Sequence, residues 1–178
     1  MEAKEFADIM NTITFNVSEN DLQVYGRDYI RDLESSYRIR KRNQGPPKEP
    51  TDPLLSLISG YDTSRLEIGA ITFNKVIRQD GHYYYFGRCE ADDLVIEKST
   101  GHVLLKMYAK DHILNSCASN SSKFLDALFI AASYLAQFPI GADVSKEEDV
   151  CVVSAQCAVV AGGETHINFY KMLLGCYE

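Results

Sequence analysis

Between residues 66 and 128 the hydrophobic pattern changes period. Short apolar runs set off by turn-forming residues give way to an apolar stripe recurring every three or four positions. That order marks strands followed by a helix. Ile68, Ala70 and Thr72 alternate with Ile71 and Phe73, which predicts a first strand over 68–77. Gln79-Asp80-Gly81 follows, and Asp-Gly is among the strongest short hairpin cues. His82-Tyr83-Tyr84-Tyr85-Phe86 predicts a second strand of high β propensity. Glu90-Ala91-Asp92-Asp93 reads as the next turn and Leu94-Val95-Ile96-Glu97 as the third strand. Lys98-Ser99-Thr100-Gly101 reads as a four-residue connection on a type I turn, with Gly101 at positive φ, before a fourth strand over 102–108. Connections this short make the neighbours antiparallel.

Ser119, Asn120 or Ser121 caps the helix that follows, to about residue 138. Its stripe is Phe124, Leu128, Ala131 and Leu135, flanked by Leu125, Phe129 and Ala132, and it is the natural cover for one face of the sheet. Pro139-Ile140-Gly141 ends it. Toward the N-terminus, Phe6, Ile9, Met10 and Ile13 predict a short amphipathic helix over 2–12. Ser18-Glu19-Asn20-Asp21 caps a second over 22–42, with Leu22, Tyr25, Tyr29, Ile30, Leu33 and Tyr37 on one face. Gly26 weakens that helix by about 1 kcal/mol relative to Ala. Residues 43–53 hold four of the five prolines and read as an exposed loop within the domain. Leu54 to Ile58 reads as a helical turn. Beyond Pro139, Ser145 and the acids after it start a helix over 150–161, whose β-branched content leaves a strand open. Gly162-Gly163 stops it, and 164–174 is a last short helix with Ile167, Tyr170, Leu173 and Leu174 on one side. The expected fold is α+β: an antiparallel meander sheet of about four strands packed against helices, with extra N- and C-terminal helices, in a single domain over 1–178.

Composition agrees with one folded domain, at 46% hydrophobic and 24% charged residues. No apolar run approaches a membrane span, and Met1-Glu2-Ala3-Lys4-Glu5 lacks the basic and apolar regions of a signal peptide. The expectation is a cytoplasmic protein. Its five cysteines have no CxxC spacing and read as small buried hydrophobes rather than bridges or ligands. The net charge of −7 hides an asymmetry: Arg38, Arg40, Lys41, Arg42 and Lys48 contribute a local +5, leaving 13 basic against 25 acidic residues elsewhere. The basic stretch reads as the solvated end of the second helix. An acidic body repels nucleic acid and speeds association with basic partners.

Catalytic constellations are hard to find. The four histidines have no HxxxH or HxH spacing, no GxSxG surrounds a serine, and Gly162-Gly163 lacks the Lys-Ser/Thr of a phosphate loop. No catalytic residue, metal site or cofactor is therefore assigned. A Cys–His pair assembled in space, from Cys117 or Cys157 with His112 or His166, stays open. The best recognition candidates are the carboxylates Glu90, Asp92, Asp93 and Glu97 at a hairpin tip, with Tyr83 and Tyr85, which share one strand face opposite Tyr84.

The order of these residues resembles the SUKH superfamily, which includes bacterial immunity proteins and fungal cell-wall-synthesis regulators, and most resembles its fourth subgroup. The similarity is carried by Leu66-Glu67-Ile68-Gly69, Phe86-Gly87, Asp93-Leu94-Val95-Ile96, Thr100-Gly101-His102-Val103, Ile113-Leu114-Asn115-Ser116 and Ser121-Ser122-Lys123-Phe124-Leu125. It implies a twisted antiparallel sheet packed on helices. It also implies a non-enzymatic protein-binding module, an immunity protein that neutralises a toxin of nuclease or deaminase type by direct binding. The alternative on the same fold is a scaffold or regulatory protein binding an endogenous partner. Either way the expected partner is a protein, with no nucleic acid and no membrane.

Overall fold

The computed structural model describes residues 1–42, 52–137 and 147–176. The first helix, α1 (Ala3–Met10), buries Phe6 and Met10, as its spacing predicts. Where one helix is expected over 22–42, two form: α2 (Glu19–Tyr25) and α3 (Arg27–Ser36). Gly26 separates them at φ 80°, ψ 155°, a conformation that side-chain-bearing residues avoid. Ile30 and Tyr37 are buried as expected, but Tyr25 and Tyr29 are exposed and stack on each other at 5.7 Å.

The chain then turns extended, because Tyr37 and Ile39 are both drawn into the core. The basic residues expected at a helix end instead form β1 (Arg40–Lys41). Next comes α4 (Pro53–Gly60), capped by Asp52 accepting the Leu55 N–H at 3.0 Å, with Pro53 in the first turn where its missing donor costs nothing. Residues 43–51, most of the expected Pro-rich loop, lie outside the described residues. β2 (Tyr61–Asp62) pairs antiparallel with β1.

The main sheet follows in strict sequence order: β3 (Glu67–Ile68), β4 (Ile71–Gln79), β5 (Tyr83–Cys89), β6 (Asp92–Glu97), β7 (Val103–Lys106) and β8 (Ile113–Ala118), all antiparallel. It is a meander of six strands, not four. The strand predicted over 68–77 is broken at Gly69-Ala70, where Gly69 takes φ 57° and turns β3 onto β4. β8 lies in the Asn-Ser stretch, too polar to read as a strand, and two bulges against β7 accommodate it. Gly101 takes φ 77°, as its turn predicts.

Asn120 caps α5 (Ser121–Leu135) by accepting the Lys123 N–H at 2.9 Å. The helical alternative holds for the stretch left open: α6 (Glu147–Ala161) is helical throughout. A 3₁₀ turn (Glu164–His166) then leads into α7 (Ile167–Leu174). The expected stop at Pro139-Ile140-Gly141 and cap at Ser145 lie outside the described residues.

An aromatic chain runs through the core: Phe86 meets Phe124 edge-on at 5.7 Å, Phe124 lies 6.2 Å from Phe169, and Phe169 lies 5.1 Å from Tyr170. Tyr170 donates to the Cys117 carbonyl at 3.0 Å and so ties α7 to β8. Cys89, Cys117 and Cys157 are buried free thiols, as expected, but Cys151 and Cys176 form a disulfide that fastens the end of α7 to α6. The sequence offers no spacing that reveals this pair, because only the packing of α7 on α6 brings its Cα atoms to 5.8 Å. Among the described residues no helix is long and apolar enough to cross a membrane.

Candidate functional site

Buried side chains of α1, α4, α5, α6 and α7 join Ile71, Phe73, Phe86, Leu94, Ile96, Val103 and Leu105 of the sheet in a single core cluster. Val95 and Leu104, which face each other across β6 and β7, are also buried yet stand outside that cluster. They belong to the opposite, outer face.

A bulge decides which residues share that face. Tyr83 pairs with Glu97 and Tyr85 with Val95, but Phe86 and Gly87 together oppose Leu94 before Arg88 meets Asp93. Unbroken alternation would send Arg88 inward with Tyr84. The extra residue resets the phase, so Arg88 joins Tyr83 and Tyr85 outside while Cys89 enters the core. Gly87 permits the close approach: a Cβ there would lie 2.5 Å from the Thr72 carbonyl oxygen. Tyr84, on the other face, packs against the core.

The outer side chains interlock. Asp93, 5% exposed, sits with its Oδ1 3.5 Å from Arg78 Nη2 and 3.6 Å from Arg88 Nε. The Arg78 guanidinium lies 5.2 Å from the centre of the Tyr85 ring, and that of Arg88 lies 5.0 Å from Tyr108. Lys106 is buried, 5.9 Å from the Tyr83 ring centre, and donates to the Lys110 carbonyl. Tyr83 and Tyr85 meet edge-on at 6.3 Å. Tyr85 donates its hydroxyl to Asp80 at 2.6 Å, and Asp80 also accepts the N–H groups of His82 and Tyr83, both at 2.8 Å. These bonds, the Tyr85 hydroxyl first, pull the Asp80 carboxyl down to about 2. Burial, and then the bond to Asp80, pushes the Tyr85 phenol up to about 12.

The four acids expected at an exposed tip are dispersed. Only Glu90 stands at the tip, a two-residue turn with Ala91 in which Glu90 itself takes φ 53°. Asp92 and Asp93 belong to β6 rather than to the turn. Asp92 is half-buried on the inner side opposite Cys89 and accepts the Tyr108 N–H at 3.0 Å, whereas Asp93 is buried on the outer side. Glu97 lies at the far end of the strand opposite Tyr83 and accepts the Thr100 hydroxyl at 2.5 Å. Tyr83 and Tyr85 do share the outer face. Arg78, Arg88, Lys106 and Tyr108 escape the sequence reading. A two-residue turn at Glu90-Ala91 would have paired Arg88 with Asp93 by register alone, and that signal was available.

Two other places bear on chemistry. Cys117 and Cys157 are buried, their thiols pushed up by burial (that of Cys157 to about 12), and no hydrogen bond joins either to a histidine among the described residues. Thiols held in that state are poor nucleophiles. Along α6, Val152, Ala155, Gln156, Val159 and Val160 line an uncharged groove of about 550 Å³ with Ile130 of α5. Among the described residues no group of three or more His, Cys, Asp or Glu is placed to hold a metal ion. Compared with known proteins, the chain is matched by no family model, no curated protein and no solved structure.

Proposed function

We propose that the chain is a non-enzymatic protein-binding module that docks its partner on the outer face of the sheet. One observation carries the reading. Val95 and Leu104 are buried apart from the main core, among half-buried Tyr83 and Tyr85, with Arg78, Arg88 and exposed Tyr108 on the same layer. Tyr and Arg are the side chains on which interface energy concentrates. Here they are held by one another before any partner arrives, which lowers the ordering entropy lost on binding. Neutralising a toxin by direct binding, the role implied by the SUKH resemblance, is one form of this module. Binding an endogenous protein is the other, and both use the same face.

Site-directed photo-crosslinking in the native cell tests the reading. A crosslinking residue at Tyr108 is expected to capture a discrete protein partner, and one at Val159 on the apolar α6 groove is not. Capture from Val159 alone would move the docking site to the helices and end this proposal.

A further inference from the structure

We infer that the outer face of the sheet selects a partner segment rich in carboxylates, not the basic partner that the chain's overall acidity suggests. The inference rests on the docking reading above and gives its partner a chemistry. Most acids on and around this face are already engaged, exposed Asp111 near Tyr83 and Glu90 at the tip being the exceptions. Asp93 is buried between Arg78 and Arg88, Asp80 accepts three hydrogen bonds, Asp92 accepts the Tyr108 N–H, and Glu97 accepts the Thr100 hydroxyl.

Arg78 and Arg88 are engaged only in part. The side chains of Arg78 and Arg88 are 59% and 43% exposed, and each reaches Asp93 through one nitrogen at 3.5–3.6 Å. A guanidinium carries five N–H donors in a planar fork, so most of that capacity remains for a second acceptor. The cation–π contacts with Tyr85 and Tyr108 restrain each guanidinium before a partner arrives, which suits bidentate capture of a carboxylate.

Spacing narrows the partner further. Both contacting nitrogens lie within 3.6 Å of the same Asp93 oxygen, so they stand no more than about 7 Å apart. Two carboxylates at alternate positions of an extended strand, about 6.6 Å apart, or one turn apart on a helix, match that separation. A basic segment would meet Arg78 and Arg88 first, with the Asp93 charge shielded beneath them. A nucleic acid fits less well than an acidic peptide. Guanidinium groups already lie over the Tyr85 and Tyr108 rings that would stack bases.

The test is an NMR titration of isotope-labelled protein with three probes: a poly-L-glutamate oligomer, a poly-L-lysine oligomer and an oligothymidylate. At low salt the glutamate oligomer is expected to shift the amides of Arg78, Arg88 and Tyr108, and added salt is expected to reverse the effect. Arg88→Lys keeps the charge beside Asp93 but loses the fork, and is expected to weaken binding about tenfold with thermal stability nearly kept. Several outcomes overturn the inference: shifts centred on the basic Arg40–Arg42 segment and Lys75, tighter binding of either other probe at the outer face, or no response to the glutamate oligomer. If the glutamate oligomer fails while Tyr108 still crosslinks a partner, only the carboxylate selectivity falls. If Tyr108 captures nothing, the docking reading itself is lost.

Discussion

Asp93 of β6 and Lys106 of β7 stand opposite each other on the outer side of the sheet, each no more than 8% exposed, and no ion pair joins them. Lys106 donates to the Lys110 carbonyl, and Asp93 draws its partners from Arg78 and Arg88. Each buried charge is thus met by a group from another direction, and the face holds together as a network.

Removing the hub of that network should cost stability. Asp93→Ala is expected to lower unfolding free energy by about 1–3 kcal/mol, the range for losing charge-assisted bonds to a buried carboxylate. The low end is favoured because both arginines are partly exposed and screened. Glu90→Lys, at the exposed tip, should stay within about 0.5 kcal/mol of the wild type. Urea denaturation compares the two, and equal midpoints would refute the placement of Asp93 as a buried hub.

Gly87 should tolerate no side chain. Gly87→Ala would put a methyl 2.5 Å from the Thr72 carbonyl oxygen, which belongs to backbone and cannot rotate away. A loss of about 2–3 kcal/mol is expected, comparable to overpacking a core. Gly101→Ala, where nothing lies within 4 Å of the added carbon, should cost only the strain of its positive φ, about 1 kcal/mol. Thermal melts of the two variants rank them directly.

His166 should make the fold acid-sensitive. It is 5% exposed, and its Nδ1 has no hydrogen-bond partner among the described residues. Burial lowers its pKa below the usual 6.5, the neighbouring Ser116 backbone opposing the shift. Above 6.5 the imidazole is neutral in both folded and unfolded chains and costs nothing. As pH falls below 6.5 the unfolded chain takes up the proton first, so stability declines until the lowered folded pKa is passed. Denaturation midpoints at pH 7.5 and 5 should differ more in the wild type than in His166→Phe. An identical difference in both would place the titration elsewhere.

The Cys151–Cys176 disulfide closes a loop with a sequence separation of 25, and reducing it should remove about 3.5 kcal/mol by the chain-entropy estimate. Oxidised protein, denatured without reductant, should show three reactive thiols, and five after reduction. Bridges of this kind persist in oxidising surroundings, whereas a reducing cytoplasm favours the dithiol. Five reactive thiols in material purified without reductant would therefore mean that the pair stays open in the cell.

Much of the meander was written in local signals. Asp80-Gly81 and the Lys98–Gly101 connection reveal themselves because turn chemistry acts over two to four residues, and the Phe124, Leu128 and Ala131 stripe because helical period is likewise local. The alternation of Tyr83, Tyr84 and Tyr85 also determined which rings share a face. Other features needed the assembled protein. Arg88 lies outside only because a bulge, driven by the approach of Gly87 to Thr72, shifts the phase of β5. β8 is a strand because β7 offers it an edge, despite its polar Asn115 and Ser116. Cys151 meets Cys176 only through the packing of α7 on α6. The sign of the outer face was decided the same way. Residues far apart in the chain bury Asp93 and leave Arg78 and Arg88 partly exposed, and no local pattern records which of two opposite charges a fold will cover.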